Sequence, residues 1–336
     1  MADPHPGPLG FILPEDRTPE QQAAHDRAAA ALPRFAALPS AGDLLRSIDV
    51  PKGTKVMLTD TWRHPDVAAD LGREFTGFYQ FTGSCVGVSE GNAGTTLLCV
   101  QRLLTTGGTK AEVVFWPFPY GRARYNAGDR GQGEGAVDSV MGETLVNEGF
   151  FPVGQPGLPG FNYTADGVQI EGGARTEYLW SDGGRIDPKW RELAARRKGM
   201  NKVQINAAEE IVAAVVNGYP VLTGCSMYVS RGQVVERGAN SYVRGRYDRD
   251  GGHSTCRLGA WLHPDDGWLV GYSNQWPTNT YPKDPAGLGR CCVWLPVAEE
   301  ERMLSRLGGG RGETMLLSHA PGVPVQPKVL DWLIAP

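Results

Sequence analysis

After Gly218 the apolar pattern of this chain changes period, and that change limits the fold more than any other feature of its 336 residues. Before it, apolar positions such as Ala93, Leu97, Val100 and Leu104 recur near helical spacing. Beyond it, residues 221–229, 253–262, 267–276 and 290–295 read as strands separated by turns. Helices first and strands afterwards predict an α+β fold rather than an alternating α/β one. The 45 glycines and 25 prolines argue the same way, because a helical bundle does not need so many turns.

Four stretches follow from the pattern. Residues 1–50 read as an N-terminal arm with one helix, from residue 19 to about 32, ended by Pro33. Residues 51–200 form a helical part, with a short strand at 55–58 and helices at 84–104, 137–147 and 188–197. Gly87, Gly91 and Gly94 in the first of these helices imply close packing against another backbone. Residues 154–185 read as loop. Residues 201–300 form the β part, entered through a helix that Asn206 and Glu209 cap and Gly218 stops. Residues 301–336 read as an extended tail hinged at Gly308-Gly309-Gly310.

Charge removes several partner classes. Net charge is −4 and the isoelectric point about 5.9, so neither nucleic acid nor an anionic membrane is an expected partner. No apolar run approaches the roughly 18 residues that span a bilayer, and residues 1–14 lack the early basic charge of a signal peptide. The expected setting is cytoplasmic, or within a protein assembly, with the six cysteines as thiols. They contain no Cys-x-x-Cys pair, and Asp248-Arg249-Asp250-Gly251 lacks the glutamate that closes a calcium loop, so no metal or cofactor is expected.

Cys85 stands apart from the other cysteines. A thiol attacks as its thiolate, and the first turn of a helix favours the anion. Gly83-Ser84 lets the chain turn into that helix. Of the six histidines, His5 and His25 fall in the arm, His319 in the tail, and His64 and His263 beside prolines in turns. His253 alone opens a strand, after Gly251-Gly252, and Asn274 follows in Ser273-Asn274-Gln275-Trp276.

In this order and context the chain resembles the papain-like cysteine peptidases. The resemblance lies in Gln80 through Val86 with its Gly-Ser-Cys, in His253, and in Ser273-Asn274-Gln275-Trp276, and spans roughly residues 75–300. It implies a two-lobe fold, with a helical left lobe and an antiparallel β right lobe. It implies Cys85 as nucleophile, His253 as base and Asn274 as the group orienting the imidazole. Gln80 would serve the oxyanion, although it stands five residues before the cysteine where the family has six. Trp276 would shield the His253–Asn274 bond, with Ser84 in support, and Gly131-Gln132-Gly133 would belong to the substrate loop.

Three functions remain open on the sequence. One is a thiol hydrolase cleaving peptide or isopeptide amides of a protein substrate. Another is a structural or assembly protein, for example of a virus-like particle, whose arm and tail engage partners. The third is a cell-wall peptide amidase.

Overall fold

The computed structural model describes residues 10–105, 110–158, 173–198, 200–276, 281–289, 291–307, 312–319 and 323–326. The arm enters α1 (Pro19–Ala31) through a reciprocal cap: Gln21 N–H donates to Thr18 Oγ1, and Thr18 N–H donates to Gln21 Oε1. A second helix, α2 (Ala41–Arg46), follows, so the arm holds two helices where the sequence offered one. β1 (Lys55–Met57) and α3 (Pro65–Leu71) lead to α4 (Cys85–Leu104), which is buried along most of its length.

Close packing selects the α4 glycines. A Cβ at Gly87 or Gly91 would come within 2.6 Å or 2.7 Å of the Trp116 ring. That contact outweighs the helical cost of roughly 1 kcal/mol per glycine. Trp116 precedes α5 (Pro117–Asn126), a helix hidden in the sequence by Pro117 and Pro119, which a first helical turn tolerates. α6 (Asp138–Glu148) packs on α5, and α7 (Gly173–Trp180) and α8 (Pro188–Ala195) complete this half. α7 falls inside the stretch read as loop.

β2 (Asn201–Gln204) and α9 (Ala208–Val216) open the second half. Here the cap is displaced by one residue. Glu210, not Glu209, accepts from the Asn206 and Ala207 N–H groups, at 2.7 and 3.3 Å. The strands β3 (Val221–Tyr228), β4 (Gly232–Val235), β5 (Tyr242–Gly245), β6 (Arg249–His263), β7 (Gly267–Ser273) and β8 (Cys292–Pro296) follow. α10 (Val297–Leu307) and β9 (Gly312–Ser318) come last.

These strands build one sheet in the order β2-β9-β3-β6-β7-β8-β5-β4, with β1 on β6. Every pairing is antiparallel except β5 with β8. β9 lies between β2 and β3, so residues 312–318 are part of the sheet where the sequence suggested a tail; the glycine hinge lies outside the described residues. α10 is tied to β6 by a fully buried ion pair, with Arg257 Nε 2.9 Å from Glu300 Oε1. Cys291, expected within a strand, precedes β8 and has a φ of 55°. The main core joins Val86, Leu97 and Val100 of α4 with the sheet residues Leu222, Leu258 and Leu316. Among the described residues no helix is long and apolar enough to cross a membrane.

Candidate active site

α4 and β6 meet at the chemistry. Cys85 is the first residue of α4, and the Ser254 N–H of β6 donates to its sulfur at 3.3 Å. His253, one residue earlier, pairs across the sheet with Cys225, where β6 carries a bulge. Such a bulge re-aims the strand locally. The imidazole Nε2 bonds Asn274 Oδ1 at 3.0 Å. Asn274 Oδ1 also accepts from the Gln275 N–H, and its Nδ2 donates to the Tyr281 hydroxyl, so the amide is held at both ends. Trp276 stacks on the imidazole, centroids 5.0 Å apart and 23° from parallel, and Tyr228 meets the same ring edge-on. His253 Nδ1 is buried with no hydrogen-bond partner among the described residues.

Burial holds both groups in their neutral forms. Burial pushes the Cys85 thiol up to about 12, and nearby Asp138 adds to that, against backbone donors at Ser254, Gly10 and Val86. Burial holds His253 down at about 4; the bond to Asn274 opposes the shift and Arg257 assists it. The helix start alone therefore does not make a thiolate. Desolvation wins because the arm covers the site.

That cover is a stretch of the chain itself. Phe11 N–H donates to Gly252 O at 3.2 Å, Ile12 N–H to Ala136 O at 3.1 Å, and Ala136 N–H to Gly10 O at 2.9 Å. Residues 10–12 thus bridge the sheet rim and the helical rim, pairing parallel with Ala136. Gly10 runs so close that a Cβ there would lie 1.8 Å from Gly83 O. Behind it Arg17, fully buried, places NH2 2.9 Å from Glu313 Oε1, and His25 Nδ1 is equally close to that oxygen.

The remaining residues singled out in the sequence divide. Ser84 precedes α4 and donates to Glu177 Oε2 at 2.7 Å. Gln80 N–H donates to Gln275 O at 2.8 Å, and its side-chain Nε2 turns to Thr82 O at 3.3 Å. Gly131, Gln132 and Gly133 are not where the arm pairs: Gly133 N–H bonds Ser181 Oγ, and the rim contact falls at Gly135 and Ala136.

Glu177 escaped the sequence reading, since nothing around it in the sequence marks it. Its buried carboxylate accepts from Phe81 N–H, Thr82 N–H, Thr82 Oγ1 and Ser84 Oγ, clamping the loop that leads to Cys85. Burial nevertheless raises it to about 7, with those donors opposing. Glu177→Ala is expected to cost about 1–3 kcal/mol in denaturant unfolding, because buried donors lose their acceptor. An unchanged midpoint would mean the loop is held by its other contacts.

No family model matches the chain, and no curated protein sequence matches it. Among solved structures it is similar to xylellain, a cysteine protease from Xylella fastidiosa, at 16% identity and TM-score 0.51, covering 85% of this chain and 88% of that one. Procathepsin B S9 from Trypanosoma congolense (10% identity, TM-score 0.47, 87% and 84% covered) and digestive procathepsin L 3 from Tenebrio molitor (11%, 0.47, 90% and 91%) also match. The xylellain match shows the fold: the chain has a divergent papain-like fold.

Proposed function

We propose that the chain is a thiol-dependent hydrolase of peptide or isopeptide amides, acting through Cys85, His253 and Asn274 and held latent by residues 10–13. The observation that carries this reading is the extended backbone already lying across Cys85, hydrogen-bonded to both rims. A groove that binds its own chain this way suits another peptide. Gly10 meets the sulfur through its backbone N–H.

With the arm displaced, His253 Nδ1 takes the Cys85 proton while the sulfur attacks the substrate carbonyl carbon. The Cys85 N–H and a reoriented Gln80 amide receive the oxyanion. His253 returns the proton to the leaving amine, and water then releases the acid from the thioester. Asn274 Oδ1 keeps Nε2 protonated, so Nδ1 is the working nitrogen. A structural role finds support in one fact, that thiol and imidazole are both buried and neutral.

Acid should separate the two. His253 is held below its ordinary 6.5, so its contribution is intact above 6.5 and is lost as pH falls through about 4. Over that window the closed state loses about 3 kcal/mol relative to forms in which His253 is solvated. Glu313, held below the usual carboxylate range by His25 and Arg17 against its own burial, adds to the loss at lower pH. Hydrogen-exchange protection of the Phe11 and Ile12 amides, corrected for intrinsic rates, should fall about 10²-fold between pH 6.5 and 4. Peptide hydrolysis should appear with it and be absent in Cys85→Ala. Loss of protection without hydrolysis would favour the structural role.

A further inference from the structure

We propose that the pocket now filled by Phe11 selects a basic side chain, arginine or lysine, from the peptide that replaces the arm. This rests on the reading of the cleft as a peptide-cleaving site. The floor of the pocket is a row across three strands: Ser254 on β6, Gly224 on β3 and Glu313 on β9 are direct register partners. Asp138, the first residue of α6, forms the wall. Only glycine fits at 224, since a Cβ there would sit 2.0 Å from Asp138 Oδ2 and 2.5 Å from the Phe11 ring. The ring and the carboxylate therefore share one small space.

That space is unbalanced in charge. Asp138 and Glu313 are 1% and 9% exposed, and Asp138 Oδ2 and Glu313 Oε2 have no hydrogen-bond partner among the described residues. Asp138 Oδ1 is occupied by Ser254 Oγ at 3.2 Å. The buried Lys202 bonds Glu90 through its Nζ and reaches Glu313 only through its charge. The cation bonded to Glu313 comes from the arm: Arg17 reaches Oε1 at 2.9 Å, and the His25 ring lies equally close. When the segment through Arg17 leaves, its guanidinium leaves with it, and an apolar substrate side chain would face Asp138 and Glu313 with only Lys202, itself bonded to Glu90, nearby. Two such groups cannot both stay ionised at close range without a cation, and burial raises the cost. Asp138 is already pushed well above the usual carboxylate range by burial and by Glu313. A guanidinium or ammonium entering from the substrate would restore what Arg17 supplied.

Full-length variants at position 11 test the pocket without needing turnover. Phe11→Arg should keep the Ile12 amide as protected as in the parent, whereas Phe11→Glu should lose about tenfold protection or more. Adding Asp138→Asn should narrow that gap. Equal loss with arginine and glutamate, or a gap indifferent to Asp138→Asn, would overturn the proposal. In acid-exposed parent protein, peptides varied at each of the two residues before the scissile bond should be cleaved about tenfold or more faster with arginine than with glutamate at one of them. Cleavage without such a preference would also overturn it. Failure to cleave any peptide, with the position-11 gap as expected, would remove the hydrolase reading and leave the pocket's charge preference standing.

Discussion

Arg17→Ala is expected to raise the alkylation rate of Cys85 about 10²-fold at pH 7 and to leave the other five cysteines slow. The Arg17 side chain is fully buried against Glu313, and its Nε reaches Ile12 O at 3.4 Å, so it pins the segment that covers the thiol. Removing one partner of a buried ion pair costs roughly 3–5 kcal/mol, which here falls on the seat of the arm. Once solvated, the thiol moves from about 12 back toward its ordinary value of 9.0, and the thiolate fraction gains about three decades. Lower basicity makes the thiolate a weaker nucleophile and gives back about half of that gain. All six cysteines are buried, so in the intact chain Cys85 has no head start, contrary to what its helix-start position alone suggests. A lower melting temperature with unchanged labelling would make Arg17 a plain structural anchor.

His253→Ala, in protein whose arm has been displaced, is expected to reduce peptide hydrolysis by about 10²–10⁴-fold, the usual worth of a positioned general base. The fold should tolerate it, because Asn274 keeps its Gln275 and Tyr281 bonds when the imidazole is gone. Alanine at 274 is a poorer discriminator. That side chain is 3% exposed with three partners, and its loss costs about 1–3 kcal/mol whatever its role. Steady-state rates for His253→Ala, beside an unchanged melting temperature, separate chemistry from stability.

The parts of the site that chemistry fixes were legible in the sequence. Cys85 starts its helix as the spacing indicates, whereas His253 lies inside β6 rather than opening it, and Asn274 falls just beyond β7 rather than within it. The parts that depend on pairing were not. Gly10, Phe11 and Ile12 have no period of their own and acquire meaning only against Ala136 and Gly252. β9 was missed because its residues 313–318 are all buried, so the alternation that marks a half-exposed strand is absent. Glu313 consequently read as an acid in a tail, and its relation to Asp138 exists only because β9 lies beside β3. The glycines at 131 and 133 mark a turn, whereas the backbone bonds to residues 10–12 are made by Ala136, which carries no local signal.

The most direct test of the account is the intact mass of acid-exposed protein treated with a peptidyl chloromethyl ketone, followed by peptide mapping. We expect one adduct per chain, on Cys85, its rate falling sharply in His253→Ala and the adduct vanishing in Cys85→Ala. Adducts spread over Cys225, Cys256 and Cys291, or a Cys85 rate indifferent to His253, would contradict it.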